Sequence, residues 1–511
     1  MSSHRSATGG HSDDITCDIA VIGSGMGGGT LAWALRDSGA DVLVVERGDH
    51  LPREEQNWSA EEVFAKGRYK NAEPWIDEST GAEFLPGVHY YVGGNTKVYG
   101  ACLPRFREED FAALEHAEGT SPAWPVTYAE MEPHYLAAER LLAVHGSPGG
   151  DPTEPWRSGD YPYPALEHEP AMADLAARLG AQGLNPFLMP TGVDLRDGGS
   201  CLRCRTCDGF PCKVGAKSDA ETRAVRPAVD AGVRLMTRTR IRRLETSGDG
   251  RRVVAAVAEV DGRIVRIRAG RFVLAAGAVN TAALLLASGH GERGLANSSD
   301  LVGRRYMVHN STLFVAVDPR RRNDVMFQKT LGINDWYLAG SGTDRPLGNL
   351  QMLGKLRAPM IKAARRWVPT PALRYLTDHS VDIYLTTEDL PDPENRMVLR
   401  ADGRIGVRWR ANNLAPHGEL VKRVSAAMRA AGYPLVFSER MNIATNSHQC
   451  GTAVMGTDPA TSVVDPTCRA HDLDNLWITD SSVFPSSAAL NPALTIAANA
   501  LRVASLGALT A

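Results

Sequence analysis

The chain has 511 residues, of which 43% are hydrophobic, so it is long enough for two or three globular domains with sizeable cores. Its formal net charge of −3 excludes a broad electrostatic attraction to nucleic acid or to an anionic membrane. The most apolar stretch, 488–509, contains two asparagines, a proline and an arginine, which favours a buried helix over a membrane span. Residues 1–13 are polar and lack the apolar core of a secretory signal. We therefore expect a disordered tail and a cytoplasmic protein.

A glycine-rich turn follows the first predicted strand, and a helix is predicted directly after it. The strand covers 18–22, the turn reads Gly23-x-Gly25-x-x-Gly28, and the helix covers 31–36. Glycines let the backbone approach a diphosphate closely, and the helix N-terminus offers unpaired N–H groups to that anion.

A second buried strand, 41–45, ends in Glu46, 18 residues after Gly28. An acid at this place accepts hydrogen bonds from ribose hydroxyls, and its charge argues against a 2′-phosphate there. The turn, the helix and the acid together predict a dinucleotide site, without distinguishing FAD from NAD.

The next part of the chain alternates polar connections with short patterned blocks. The polar connection 50–87 predicts a surface excursion or a lid. In the block 90–100, the pair Gly93-Gly94 predicts that the backbone comes close to something flat or anionic, or simply makes a tight turn. Thr127, three residues before a glutamate, has capping-box spacing and predicts a helix over 130–144.

Two stretches with different predicted elements follow. The first, up to residue 288, predicts helices at 171–179, 218–231 and 281–288, strands at 233–237 and 272–278, and a hairpin of 253–260 with 263–268. The second predicts strands at 312–317, 350–356 and 381–387 and a helix at 416–431. Alternation of apolar residues in 381–387 is typical of a half-buried sheet. This middle section therefore predicts an antiparallel sheet backed by helices, distinct from the nucleotide-binding portion.

Four blocks occur in order along the chain: GSGMGGGT followed by Glu46, then GGNTKVYGACLPR, HQCGTAVMGTDP and DNLWITDSSVFPSSAALNPALTIAANA. Together they resemble the glucose–methanol–choline (GMC) oxidoreductase family, and the last two look most like its bacterial pyranose-oxidase and glycoside 3-oxidase branch. The resemblance implies an α/β fold with a Rossmann-like FAD-binding domain in separated segments, and an α+β substrate-binding domain with an antiparallel sheet. The expected FAD-binding segments are 14–110, 198–310 and 446–511, and the substrate-binding segments are 111–197 and 311–445.

The resemblance also assigns residues to the implied FAD. It places Gly23, Ser24, Gly25 and Gly28 at the diphosphate, Glu46 at the adenosine ribose, Gly93, Gly94, Asn95 and Tyr99 along the flavin and ribityl chain, Ile241 at adenine, Asp480 at ribitol or diphosphate, Asn491 and Pro492 near the flavin pyrimidine, and Arg47, Ala276 and Thr495 among the other contacts. In several family members a histidine bonds covalently to the flavin, and alignment of the second block puts Val98 at that position. We therefore expect non-covalent FAD.

The resemblance implies that His448 and Asn491 form the catalytic pair at the flavin edge. Alcohol oxidation removes a hydroxyl proton and a hydride, and a neutral imidazole can take the proton. The asparagine amide can hold the substrate oxygen. Without the family, a buried structural histidine and a helix cap are the alternatives for these two residues. His309 and His379 lie in no comparable block and are interpreted as structural.

Half of the eight cysteines form the pattern Cys201-x-x-Cys204-x-x-Cys207-x-x-x-x-Cys212. The spacing is close to iron–sulfur patterns, with one residue too many in the last gap, and four thiolates can also bind zinc. Local disulfides or free thiols are the alternative.

The sequence thus predicts an FAD-dependent oxidoreductase that oxidises an alcohol group of a sugar, glycoside or polyol, with oxygen or a quinone or protein as electron acceptor. The alternatives are a primary-alcohol oxidase acting on an amino sugar in antibiotic biosynthesis, and a non-redox lyase or flavin-bound binding protein. Sugar contacts are conceivable at polar and aromatic positions of the middle section, where a solvent-exposed loop is the favoured interpretation: Gln328, Asn334, Asp335, Trp336 and Gln351.

Overall fold

The computed structural model describes residues 14–289, 293–340 and 342–510, so the predicted tail, 1–13, lies outside the described residues. In chain order the strands are β1 (Asp14–Ile22), β2 (Val42–Val45), β3 (Trp75–Asp77), β4 (Glu83–Phe84), β5 (Leu114–His116), β6 (Gly119–Ser121), β7 (His145–Gly146), β8 (Tyr163–Pro164), β9 (Phe187–Leu188), β10 (Arg234–Met236), β11 (Thr239–Thr246), β12 (Val253–Val260), β13 (Arg263–Leu274), β14 (Asn310–Val317), β15 (Leu331–Ile333), β16 (Asn349–Met352), β17 (Ser380–Thr387), β18 (Arg396–Leu399), β19 (Ile405–Arg408), β20 (Leu435–Arg440) and β21 (Leu476–Ile478).

The α-helices are α1 (Met26–Leu35), α2 (Tyr128–Leu141), α3 (Pro170–Gly180), α4 (Arg226–Asp230), α5 (Ala278–Leu286), α6 (Ala358–Ala364), α7 (Thr370–Asp378), α8 (Leu414–Ala430) and α9 (Ala493–Ser505). Short 3₁₀ turns occur at Glu55–Trp58, Gly94–Lys97, Glu109–Phe111 and Ser481–Val483, and π-helical turns at Glu61–Ala65 and Glu221–Val225. In the described part of the chain, no helix is both long and apolar enough to cross a membrane.

The first sheet has the strand order β10-β2-β1-β13-β12-β11, and β21 pairs with the end of β13. Strands β10, β2, β1, β13 and β21 run parallel, so their carboxyl ends meet at one edge. All four residues of β2 are buried, as a strand covered on both faces of a parallel sheet must be. Helix α1 packs beside α9 against this sheet, and both contribute buried residues to the same core.

The second sheet is antiparallel, with the order β20-β14-β17-β16-β15-β9. Leucines and methionines of α3 and α8 pack with its strands in one core. On the other face, Leu356, Met360 and Leu376 pack against β14. The expectation of a half-buried sheet is wrong for β17, in which seven of eight residues are buried, because helices cover both faces.

Several predicted elements change in the folded chain. The predicted hairpin strand and the following buried strand are one continuous strand, β13, of 12 residues. Helix α1 already begins at Met26, inside the glycine run. The connection 50–87 is only partly a surface excursion, since β3 and β4 join β19 and β18 in a four-stranded sheet. The capping box at Thr127 is confirmed: its hydroxyl accepts from the Glu130 amide, and the Glu130 carboxylate accepts from the Thr127 amide.

Candidate active site

Close backbone packing shapes the edge where the parallel strands end. A Cβ at Gly28 would lie 2.0 Å from the Gly23 carbonyl oxygen, and one at Gly27 would lie 2.1 Å from the Thr479 carbonyl oxygen. Side chains at these positions would push α1 away from the strand ends. Gly25 differs, because no described atom lies within 4 Å of a Cβ built there. The N-terminus of α1 therefore faces open space at Gly25.

The second glycine block borders the same space. A Cβ at Gly94 would lie 3.3 Å from the Cα of Gly25. The Gly93 amide donates to the Ser24 hydroxyl at 3.1 Å, and Gly93 has φ = +95°, a conformation that favours glycine. The two blocks, about 70 residues apart in the chain, thus lie side by side next to the open space at Gly25.

Glu46 lies at the carboxyl end of β2 and is buried. Its carboxylate accepts from the amide and hydroxyl of Ser24 at 3.1 and 2.6 Å, and from the Gly48 amide at 2.9 Å. A carboxylate has about four acceptor positions, of which the described residues fill three. The remaining position is the one that a ribose hydroxyl would need.

Asp480 follows β21 and makes more protein contacts than the sequence indicates. One carboxylate oxygen accepts from the Gly277 amide and the Thr281 hydroxyl at 2.9 and 2.5 Å, and the other accepts from the amide and hydroxyl of Ser482. Burial nevertheless raises the pKa of the Asp480 carboxyl. Protein donors fill its acceptor positions, so it ties the end of β21 to the start of α5. Its contact with ribitol or diphosphate stays a prediction.

Most of the other residues predicted to contact the cofactor use their side chains in contacts within the protein. Asn95 is used locally, since its side chain bonds the backbone of Gly87 and His89. The Tyr99 hydroxyl donates to the Ser218 carbonyl, and the Thr495 hydroxyl bonds Tyr135 at 2.8 Å. The remaining positions are Arg47, stacked on Tyr90 and paired with Glu73, Ile241 in β11, Ala276 after β13, and Pro492, which caps α9. Contacts of these residues with FAD stay predictions.

These features fit the diphosphate and ribose end of FAD. A helix N-terminus has unpaired N–H groups and a positive dipole end, and it faces a gap at Gly25. Glu46 keeps an acceptor position near the same edge. Gly25 would hold the diphosphate through backbone, with Gly94 beside it toward the ribityl chain, and Glu46 would hold the ribose.

His448, in the third block, contacts His309, which directly precedes β14 of the second sheet. Its Nδ1 lies 3.1 Å from Nδ1 of His309, and the two rings meet edge to face with centroids 5.0 Å apart. Nε2 of His309 lies 3.1 Å from the Ser487 carbonyl oxygen. His309, which is interpreted from the sequence as structural, thus contacts the predicted base directly. No sequence pattern marks this pairing, because the two residues are 139 positions apart.

Asn491 reaches the same strands through Gln351. The Gln351 amide donates to Asn491 Oδ1 at 2.9 Å. Gln351 lies directly opposite Tyr384 in the β16–β17 ladder, so the two side chains share a face. The Tyr384 ring meets the His448 ring edge to face at 6.1 Å. His448 and Asn491 thus contact neighbouring side chains on one face of the second sheet.

Electrostatics keep His448 uncharged. Burial, and to a smaller extent His309 and the Lys329 ammonium, lower the pKa of His448 to about 3. Lys329 itself is paired with both carboxylate oxygens of Asp208 at 2.7 Å. At neutral pH the His448 imidazole is therefore uncharged and has a lone pair on one ring nitrogen.

The expectation that the five polar and aromatic positions of the middle section are exposed loops is wrong. All are buried: Gln328, Asn334, Asp335, Trp336 and Gln351. Gln328 bonds Asp382, Asn334 bonds Asp151, and Asp335 bonds Asn185. Only Gln351 of this set bonds a residue of the predicted catalytic pair among the contacts of the described chain. Partners distant in sequence, which single-chain patterns do not reveal, decide this burial.

The cysteine segment is organised around a lysine. All eight cysteines have free thiols, which is one of the alternatives that the sequence left open, and local disulfides are not formed. In the described ranges, no group of three or more His, Cys, Asp or Glu side chains is arranged to hold a metal ion. The buried Lys217 ammonium donates to the carbonyls of Tyr99, Phe210 and Cys207 at 2.8, 2.8 and 3.3 Å. It ties the segment to the bend at Tyr99, just after the 3₁₀ turn of the second glycine block.

Comparisons with known proteins agree with this architecture. Residues 170–311 and 395–500 match models described as GMC oxidoreductase, and 21–53 match an NAD(P)-binding Rossmann-like domain. The chain is 32% identical to 6‴-hydroxyparomomycin C oxidase of Streptomyces lividus, over 98% of this chain and 92% of that protein. It is 31% identical to paromamine 6′-oxidase of Streptomyces fradiae (98% and 93%), and 26% identical to the fructose dehydrogenase large subunit of Gluconobacter japonicus (96% and 98%).

The fold is also that of solved structures. Pyridoxine 4-oxidase from Mesorbium loti superposes with a TM-score of 0.65 at 19% identity, covering 96% of this chain and 99% of that chain. Formate oxidase gives a TM-score of 0.65 at 16% identity, with coverage of 97% and 98%. The resemblance that the four sequence blocks indicated is confirmed: this chain belongs to the GMC oxidoreductase family, whose members are FAD-dependent oxidoreductases of CH–OH groups.

Proposed function

We propose that this protein oxidises the primary alcohol of an amino sugar to a carbonyl, with FAD as hydride acceptor and oxygen as the final electron acceptor. The observation that carries the chemistry is the uncharged His448, held by His309 beside the residues that reach Asn491. When bound, the flavin supplies the two-electron acceptor that alcohol oxidation needs.

The residues of the site take the proton and orient the substrate. His448 takes the hydroxyl proton, because its neutral imidazole has a free lone pair. Asn491 donates its amide N–H to the substrate oxygen, while Gln351 fixes the Asn491 amide by donating to Oδ1. The substrate C–H is thereby held toward the flavin, which is an orientation effect.

Two relatives above 30% identity support the choice of substrate. Their names specify oxidation of aminoglycosides, and one name specifies the 6′ position. Position 6 of a hexose is a primary alcohol, so the amino-sugar hypothesis is favoured over a secondary sugar hydroxyl. The word oxidase in both names supports oxygen as acceptor, with a quinone or a protein as the alternative.

The test is anaerobic flavin reduction by a panel of paromamine, neomycin-type aminoglycosides, glucose, fructose and methyl glycosides. We expect the flavin absorbance to bleach fastest with an aminoglycoside and to return on admission of air. Bleaching by neutral sugars alone would assign the enzyme to a neutral sugar. Absence of bleaching by every alcohol would favour the non-redox alternative. His448→Ala should slow the reduction by about 10² to 10⁴-fold. His379→Ala is the matched control, because His379 caps the carboxyl end of α7 and bonds the Tyr375 carbonyl within that helix.

The same proposal includes three properties carried over from the sequence. FAD is non-covalent, because the aligned position is Val98, so acid precipitation should leave the yellow colour in the supernatant. Segments 14–110, 198–310 and 446–511 form the FAD-binding domain, and 111–197 and 311–445 form the substrate-binding domain. The protein is cytoplasmic, which cell fractionation tests.

A further inference from the structure

We propose that His309 is a positioning residue that fixes the tautomer of His448, so that Nε2 of His448 carries the lone pair. This inference rests on the proposed role of His448 as the base. It concerns which of the two ring nitrogens is available, a question that the identity of the base alone leaves open.

The argument starts at the Ser487 carbonyl. A carbonyl oxygen can only accept, and it lies 3.1 Å from Nε2 of His309. Nε2 of His309 must therefore carry the proton. The His309 side chain is only 1% exposed, and burial lowers its pKa to about 4, so the ring is neutral at pH 7. A neutral imidazole with a proton on Nε2 has a bare Nδ1, which is an acceptor.

The bare Nδ1 of His309 in turn determines which nitrogen of His448 carries the proton. Its Nδ1 lies 3.1 Å from the bare Nδ1 of His309, and two bare nitrogens would repel each other. His448 must therefore have its proton on Nδ1 and donate it to His309. Among the described residues this is the one hydrogen bond that the His448 ring makes. The nearby Tyr384 hydroxyl bonds Ser311 at 2.7 Å and, among the described contacts, makes no hydrogen bond to His448.

Each hydrogen bond in this series therefore fixes the proton position in the next ring. The Ser487 carbonyl orients His309, His309 orients His448, and the second ring nitrogen of His448 has a lone pair ready for the substrate hydroxyl. In the opposite tautomer, His448 would present an N–H to the hydroxyl and would have no basic nitrogen there. A wrong tautomer of this kind lowers the rate of a serine protease by about 10⁴-fold.

Two substitutions at His309 separate this role from a structural one. The Asn side chain can place its Oδ1 near the position of ring Nδ1, so His309→Asn keeps an acceptor for His448. The Gln side chain reaches the position of ring Nε2, so His309→Gln keeps the donor to Ser487 and loses the acceptor for His448. Gln is the closer match in size, so a packing role predicts that Gln is tolerated better.

The experiment uses the FAD-loaded protein labelled with ¹⁵N-histidine, and long-range ¹H–¹⁵N spectra at pH 7 report which ring nitrogen carries each proton. His448→Ala and His309→Gln identify the signals. We expect His448 protonated on Nδ1 in wild type and His309→Asn, and a shift toward Nε2–H in His309→Gln. Wild-type His448 protonated on Nε2 would overturn the inference, whatever the activity.

The rate of flavin reduction by paromamine, or by the fastest alcohol of the panel, gives the second readout. We expect His309→Gln to be slower by about 10- to 10⁴-fold and His309→Asn to retain most of the rate. Equal rates of His309→Asn and His309→Gln, or a slower His309→Asn at equal urea midpoints, would overturn the inference. A slow His448→Ala would in that case still support the proposed function. An unaffected His448→Ala would instead refute the proposed function, and the spectra would still decide the tautomer.

Discussion

We expect replacement by alanine to have opposite effects at two neighbouring glycines, because Gly25 borders a gap and Gly27 makes a tight backbone contact. A Cβ at Gly27 would lie 2.1 Å from the Thr479 carbonyl oxygen, which is 1.3 Å closer than the 3.4 Å at which ordinary contact begins. The obstacle is backbone, so neither a rotamer change nor a small side-chain shift relieves it. A Cβ at Gly25 meets no described atom within 4 Å, and Gly25 has φ = −66°, which alanine adopts without strain.

The magnitudes follow from these contacts. Overpacking costs about 1–3 kcal/mol, and the rigid obstacle places Gly27→Ala toward the upper end. The better helix propensity of alanine returns at most about 1 kcal/mol, so the apoprotein should lose about 2 kcal/mol of unfolding free energy. Gly25→Ala should leave the apoprotein unchanged. Its methyl group enters the proposed diphosphate space, so FAD affinity should fall at least about tenfold, or about 1.4 kcal/mol.

The assay is urea unfolding of FAD-stripped protein, combined with FAD titration followed by flavin fluorescence. The reasoning is refuted if Gly27→Ala unfolds at the wild-type urea concentration. It is equally refuted if Gly25→Ala binds FAD as tightly as wild type, since the gap would then hold something other than the diphosphate. Gly39→Ala cannot serve as control because its φ is +79°, whereas Gly180 lies in open space at the end of α3 and is suitable.

Three further predictions concern a hydrogen bond, a buried ion cluster and a buried histidine that the fold creates. Gln351→Leu removes the donor to Asn491, and we expect flavin reduction to slow by about tenfold, the value of a hydrogen bond near 1.4 kcal/mol, with unchanged FAD affinity. Arg105→Met should lower the free energy of unfolding by about 3 kcal/mol in urea titrations, because the carboxylates of Glu132 and Glu139 stay buried without this guanidinium. Burial lowers the pKa of His417 to about 4, below the value of about 6.5 in the unfolded chain, so the unfolded state binds the proton first. Relative to His417→Asn, the wild type should lose about 1.4 kcal/mol per pH unit from pH 6.5 to 4, and parallel pH profiles of the two proteins would contradict this.

Local patterns in the sequence were sufficient for elements that depend on neighbouring residues. The strand, turn and helix around Gly23–Gly28, the acid at Glu46 and the capping box at Thr127 each involve a few consecutive positions. Their physics is backbone conformation and hydrogen bonding within one or two turns, so spacing alone identifies them. The four family blocks added the expectation of an FAD-dependent oxidoreductase.

The tertiary structure decided which of these residues meet. Gly27 is needed for its contact with Thr479, 452 positions later, and Asp480 is tied to Gly277 and Thr281. Burial of the middle polar segment also depends on distant partners, which is why the expectation of exposed loops was wrong there.

The clearest difference between sequence and structure lies at His448. The sequence by itself determined that His448 stands in a block typical of an alcohol oxidoreductase, and that Asn491 accompanies it. Only the folded chain brought His309 to 3.1 Å from His448, and Gln351 to 2.9 Å from Asn491. The physical reason is that the position of a proton depends on a nearby acceptor in space, and folding supplies that acceptor from His309, 139 positions earlier in the chain.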